Sequence, residues 1–187
     1  MCYYITAILP KGTKVENLHE ILNKYDMAFE EIENGSIRSQ LQEGDLYLRA
    51  TKAYCDCNTV LGSKNLSQEY QSLLKSKIVK KLRKMKWTEQ QIDDWIKEKI
   101  GKKDKNKLKI LTEHEKELDC NRWLHFIEAI IYEGKVSKLG LVKNWYPHSL
   151  NDEELDIKMT QKINMNNLNR DLLLTLEEDF LYEFINY

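Results

Sequence analysis

The sequence predicts an α+β domain whose core is a ferredoxin-like split βαββαβ unit, with an antiparallel sheet and helices on one face. Strand-like segments alternate with amphipathic helical segments, and the first six follow the order β-α-β-β-α-β once a lysine-rich helical pair is set aside. Right-handed crossovers place both helices of such a unit on the same side of the sheet. A length of 187 residues with 42% hydrophobic residues suits a single domain over 1–187.

The first strand is predicted over residues 2–9, CYYITAIL, because β-branched and aromatic residues dominate it and Pro10 ends it. The segment TKVENLHEILNKYD, residues 13–26, spaces its apolar residues as a helix does. Thr13 followed by Glu16 has the spacing of a capping box, so the helix is expected to begin there.

Two further strands are predicted over residues 27–33, MAFEEIE, and 45–54, DLYLRATKAY. In the predicted topology strands 1 and 3 are antiparallel neighbours at the centre of the sheet. Their side chains opposite the helices form a face suited to stacking nucleic-acid bases, unless a later element covers it. That face would carry Tyr4, Thr6, Tyr47, Arg49 and Thr51.

A basic helical pair, residues 64–109, interrupts the core. It holds fifteen Lys and Arg against six Asp and Glu, a net charge of +9, whereas the rest of the chain carries −10. Helical spacing covers 67–85 and 88–100, the second with a Thr-x-x-Gln capping box at its start. Such a charge run is usually a solvated face, but it can also bind an acidic protein or a nucleic acid. The candidate partner-binding residues are Lys77, Lys80, Lys81, Arg83 and Lys84.

The remaining chain predicts a long helix over residues 113–133 and a strand over 139–147 that stops at a proline. An edge strand is expected over 155–163, where apolar residues alternate weakly. The last segment, residues 170–187, predicts an amphipathic helix because Leu, Leu, Phe and Phe recur every four residues. The extra strand and helix therefore follow the split βαββαβ core.

The stretch AYCDCNTVLG, residues 53–62, follows the third strand and contains two cysteines one residue apart. In the predicted topology this strand end lies beside the start of strand 1, so Cys55 and Cys57 would meet Cys2. Three thiolates suit Zn²⁺ or another thiophilic metal ion. Free cysteines also serve as small buried hydrophobic residues, which is the competing interpretation. The fourth ligand would be His148, His125, Cys120 or Asp56.

The same sheet corner is a candidate small-ligand site, formed by Arg49, Asp56, Asn58 and Thr59. No histidine lies near the cysteines in sequence, so a nucleophile with its base is not indicated and a non-enzymatic role is expected. The apolar runs are far too short to cross a bilayer. Four cysteines without a secretory pattern predict free thiols in a reducing, cytoplasmic compartment.

Three functions are compatible with these observations. The first is an interaction or regulatory module that engages a macromolecule through the basic insertion or the sheet face. The second is a zinc-type site at the three cysteines, and the third is a small-ligand site at the corner of strand 3. The charge segregation favours the first, because the cysteine cluster depends on the predicted topology.

Overall fold

The computed structural model describes residues 2–62, 73–104, 111–146 and 149–186. The chain divides into two units, residues 1–62 with 111–187, and residues 63–110. The helices and strands are β1 (Cys2–Leu9), a 3-10 turn (Val15–Leu18), α1 (His19–Lys24), β2 (Met27–Glu31), α2 (Gly35–Arg38), β3 (Leu46–Thr51), α3 (Lys77–Lys84), α4 (Glu89–Asp104), α5 (Glu113–Tyr132), β4 (Lys138–Tyr146), β5 (Met159–Asn164), a second 3-10 turn (Met165–Asn167), α6 (Arg170–Leu174) and β6 (Phe180–Ile185).

The first unit is built on one open, mixed sheet of six strands in the order β2-β3-β1-β4-β6-β5. β1 lies antiparallel to both β3 and β4, while β5 runs parallel to β6 at the far edge. The predicted α+β class is confirmed, as is the antiparallel pairing of strands 1 and 3. The sheet continues past β4 with β6 and β5, so its order differs from that of a four-stranded ferredoxin-like sheet.

The main core lies between one face of the sheet and the helices α1 and α5. Alternate residues of β1, Ile5 and Ala7, point into it, as the strand period requires. From α5, Trp123 and Phe126 fill the space above them with their rings 5.8 Å apart in an edge-to-face arrangement. This helix-covered face holds most of the buried apolar side chains of the unit.

The opposite face of the sheet is covered by residues 149–157 and the short helix α2. Asn34 holds the covering segment, because its amide donates to the carbonyl oxygens of Leu150 at 2.9 Å and Glu153 at 3.0 Å. A later segment does cover this face, as the sequence analysis allowed, so its central members are not open for base stacking. Thr6, Tyr47 and Thr51 are buried.

A buried hydroxyl pair crosses the centre of this second face. The Tyr47 and Tyr146 hydroxyl oxygens are 2.7 Å apart, on β3 and β4. Burial raises the pKa of both phenols, so each stays protonated and can donate a hydrogen bond. Two large aromatic residues thus occupy the sheet face without leaving an unpaired hydroxyl.

The first helix does not begin where the sequence analysis predicted. Thr13 does not cap it, because its hydroxyl donates to the Pro10 carbonyl oxygen at 2.8 Å within the preceding turn. The chain instead enters a 3-10 turn, and α1 begins at His19. The capping box predicted at Thr88 and Gln91 is confirmed by reciprocal hydrogen bonds of 2.9 and 3.2 Å.

The prediction for the C-terminal segment is also wrong. The predicted helix over 170–187 is in fact the short helix α6 followed by the strand β6. Leu, Leu, Phe and Phe recur every four residues, and because four is even this spacing also fits one face of a strand, so periodicity alone does not distinguish helix from strand. As a strand, β6 forms backbone hydrogen bonds with both β4 and β5. An amphipathic helix in its place could not form these bonds.

The second unit has a small core of its own. Val79 on α3 packs with Ile92 and Ile96 on α4, and all three are fully buried. Helices α3 and α4 overlap the predicted segments 67–85 and 88–100, but α3 begins only at Lys77, after its N-cap Ser76, and residues 67–72 lie outside the described residues. Among the described residues, no helix combines the length and apolarity needed to span a bilayer.

Candidate metal centre beside the start of β1

The Cys55–Cys57 loop runs alongside the start of β1 although β3 has already ended at Thr51. The Asp56 amide donates to the Tyr3 carbonyl oxygen at 2.9 Å, and the Tyr3 amide donates to Cys57 Sγ at 3.2 Å. These two bonds, one to a backbone oxygen and one to a side-chain sulfur, tie the loop to Tyr3 on β1. Both cysteines of the loop are thereby placed next to Cys2.

Asp56 anchors this loop from inside the protein. Its carboxylate accepts a hydrogen bond from the Ile5 amide and another from the Thr51 hydroxyl, each 2.8 Å long. The residue is fully buried, and burial raises the pKa of its carboxyl to about 6 because the charged form loses its hydration. The two hydrogen bonds and the charge of Arg49 act in the opposite direction.

The turn that follows the cysteines is tight. The Thr59 amide and hydroxyl both donate to the Asp56 carbonyl oxygen, at 2.9 and 2.8 Å. Gly62 passes so close that a Cβ there would lie 2.2 Å from the same oxygen, so only glycine fits. The Val60 amide donates to Asp119 on α5 at 2.6 Å, which fixes the turn to the helix layer.

The three cysteines form the cluster that the sequence predicts. One sulfur each from Cys2, Cys55 and Cys57 lies within 4.8 Å of the other two. All are free thiols; Cys57 is buried, while Cys2 and Cys55 are half-buried. In a zinc site with Zn–S bonds of about 2.3 Å, tetrahedral sulfurs lie about 3.8 Å apart, so a shift of about 1 Å at most completes the geometry.

Without a cation, the surroundings of the cluster disfavour deprotonation of Cys57. Burial raises the pKa of Cys57 to about 12, and the neighbouring thiols of Cys55 and Cys2 add to the effect. The amide of Tyr3, which hydrogen-bonds the sulfur, partly counters it. A cation at the centre would supply the missing positive charge, because metal coordination deprotonates a thiol outright.

Two of the predicted fourth ligands lie outside the cluster. Cys120 is buried in the main core, with its sulfur 4.0 Å from the Arg170 carbonyl oxygen. His125 is exposed on α5. His148 falls outside the described residues. The described residues therefore supply three grouped ligands.

The structure shows what each residue of the small-ligand corner predicted from the sequence contacts, and the ligand site itself stays a prediction. The Asp56 carboxylate is taken up by the Ile5 amide and the Thr51 hydroxyl. The Thr59 hydroxyl donates to the Asp56 carbonyl oxygen, and Asn58 is exposed. Arg49 lies over the ring of Tyr4, with its guanidinium carbon 5.5 Å from the ring centre. This cation–π contact accounts for its position on the sheet face.

Sequence reasoning missed the anchoring role of Asp56, which it treated only as a possible ligand. No local pattern indicated this role, because the Ile5 amide that donates to Asp56 is 51 residues away in sequence. Comparison of the chain with protein-family models, curated proteins and solved structures finds no match. Function is therefore inferred from geometry and chemistry alone.

Proposed function

We propose that this protein binds one thiophilic metal ion, Zn²⁺ in the first instance, through Cys2, Cys55 and Cys57. The observation that carries the proposal is the mutual approach of three sulfurs to within 4.8 Å, although two of them are more than fifty residues from the third. Thiolate sulfur is the donor that selects zinc and related soft metals over magnesium or calcium.

The residues around the three sulfurs support a metal site whose ligands are already in place. Asp56 and the tight turn fix Cys55 and Cys57 through hydrogen bonds that do not involve the sulfurs of Cys2 or Cys55. The N–H group of Tyr3 directed at Cys57 is the kind of donor that stabilises a metal-bound thiolate. Three protein ligands leave a fourth coordination position, which in zinc proteins is taken by water or an exogenous ligand.

Metal binding would connect two segments of the chain that are distant in sequence. The ion would join the first residue of β1 to the loop that follows β3, so it stabilises one corner of the sheet. Such a site needs reduced thiols, which fits the expected cytoplasmic location.

For the fold, we infer a ferredoxin-like core made of β1 to β4 with α1 and α5. This core is extended by β6 and β5. The pairings of β1 with β3 and with β4 support this inference.

The test is metal stoichiometry in matched cysteine variants. The protein is purified without a histidine tag, with zinc in the growth medium, and its metal content is measured by mass spectrometry. About one zinc per chain is expected in the wild type, and a loss of zinc in Cys55→Ser and Cys57→Ser. Cys120→Ala is the control, because Cys120 is also buried yet lies outside the cluster.

Two results would count against the proposal. One is a wild-type protein that binds no stoichiometric zinc, cadmium or cobalt under reducing conditions. The other is equal metal loss in Cys120→Ala and Cys55→Ser, which would trace metal retention to overall folding. Cobalt substitution adds an independent readout, since a sulfur-to-cobalt charge-transfer band appears only if thiolates bind the ion.

A further inference from the structure

The helix α3 of the second unit presents four lysines on one side. At 100° per residue they fall within an arc of about 100°, on the side away from the buried Val79. All four are exposed, and none forms an ion pair with another residue that the structure describes. They are Lys77, Lys80, Lys81 and Lys84.

The nearby carboxylates are engaged elsewhere. α3 itself contains no acidic residue. On α4, Glu89 binds Arg83 through two hydrogen bonds of 2.8 and 2.9 Å, and Asp93 pairs with Lys97 at 2.6 Å. Arg83, a predicted partner-binding residue, is therefore occupied within the unit. Within the described residues the four-lysine arc is therefore left without an acidic neighbour and is suited to an anionic partner.

An exposed aromatic residue, Trp87, follows the end of α3. The Trp87 amide donates to the Leu82 carbonyl oxygen at 3.2 Å, and Lys86 adopts a left-handed φ of +63°. This is the hydrogen-bond pattern of a Schellman motif, which sets the direction of the chain as it leaves the helix. Trp87 is 37% exposed, and Met85 at the helix end is 61% exposed.

We propose that the four-lysine arc and Trp87 form a binding surface for single-stranded nucleic acid. The lysines would contact successive phosphates, and the exposed indole would stack on an unpaired base. Basic tracks combined with exposed aromatic rings are how proteins bind single strands without sequence preference. An acidic peptide would use the lysines alone, so Trp87 distinguishes the two partners. This surface lies in the second unit and does not depend on the metal proposal.

The test uses the full-length protein and a fluorescently labelled dodecamer of deoxythymidine, with binding followed by anisotropy between 50 and 200 mM salt. Four phosphate contacts predict a slope of about −2.8 in log K against log salt, which is about a fiftyfold loss over this range. Replacing the four lysines with glutamine should abolish this binding, since glutamine keeps helix propensity but removes the charge.

The matched control replaces four exposed lysines of the first unit with glutamine, which removes the same total charge and should leave affinity nearly unchanged. These are Lys11, Lys14, Lys135 and Lys162. Trp87→Ala should weaken binding by about tenfold, through loss of stacking, with the salt slope unchanged. Circular dichroism of each variant checks that its helices remain formed.

Several outcomes would overturn the proposal. Absence of binding at 50 mM salt is one, and an equal loss of affinity in the two quadruple variants is another, because it would indicate nonspecific attraction. A Trp87→Ala variant that binds as the wild type does would also overturn it. Tighter binding to polyglutamate or to anionic vesicles than to the dodecamer would assign the surface to an acidic protein or to a membrane instead.

Discussion

The Asp56 side chain provides the sharpest test of how the cysteine loop is held. In Asp56→Ala, the Ile5 amide and the Thr51 hydroxyl both lose their acceptor while they remain buried. An orphaned buried polar group costs about 1–3 kcal/mol, so the pair costs about 4 kcal/mol. In Asp56→Asn both bonds can survive, because the amide oxygen accepts from Ile5 and the amide nitrogen donates to the Thr51 hydroxyl.

Comparing these two neutral variants removes the effect of ionisation. Urea unfolding in metal-free buffer should show Asp56→Ala less stable than Asp56→Asn by about 4 kcal/mol, with equal m-values. The alanine variant should also bind zinc at least about tenfold more weakly, since a loosened loop must be ordered on binding. A stability difference below about 1 kcal/mol would refute the anchoring role of this carboxylate.

The same residue predicts a dependence on pH. Because burial raises the folded-state pKa from 3.8 to about 6, the folded protein holds this proton more tightly than the unfolded chain. The contribution of Asp56 to stability therefore falls as the pH rises from about 4 to about 6, by about 3 kcal/mol in total. Stability measured relative to Asp56→Asn should show this fall; a flat difference between the two proteins would contradict it.

Three further outcomes are expected. Gly62→Ala should lower both zinc affinity and melting temperature, because its Cβ would collide with a backbone oxygen 2.2 Å away; a variant as stable as the wild type would exclude this close approach. Tyr47→Phe should cost about 1–2 kcal/mol in urea unfolding by leaving the Tyr146 hydroxyl buried and unpaired, and adding Tyr146→Phe should recover part of that loss. Replacing residues 63–110 with a short Gly-Ser linker should leave the first unit folded, with one cooperative thermal transition and its zinc, since the hydrogen bond between the 55–62 loop and α5 holds the flanking segments together.

Much of the fold could be predicted because its signals are local. The alternation in residues 2–9 and 45–54 and the helical period of 113–133 each reflect the burial of one face of an element, which depends on residues a few positions apart. The cysteine cluster was predictable one step later, since antiparallel pairing of strands 1 and 3 brings Cys2 beside the loop. That prediction needed only one correct pairing.

The failures share a different cause. The segment 170–187 carries both periods, and only the space beside β4 selects the strand β6. Thr13 has the spacing of a capping residue, but its hydroxyl finds a nearer acceptor in the turn at Pro10. His125 was a candidate fourth ligand, yet its place on the exposed side of α5 keeps it out of the cysteine cluster. In each case a contact outside the periodic pattern decides the outcome: the neighbouring strand for β6, the Pro10 carbonyl oxygen for Thr13, and the packing of α5 for His125.

The sequence by itself determined the α+β class, the order of the early strands and helices, the separate basic segment and the three cysteines able to share an ion. These features follow from periodicity, charge and residue chemistry, which depend only on the local sequence. Only the tertiary structure decided that residues 149–157 cover the second sheet face and that β6 joins the sheet. It also decided that Asp56 anchors the cysteine loop, because hydrogen bonds between distant residues depend on positions that no local pattern specifies.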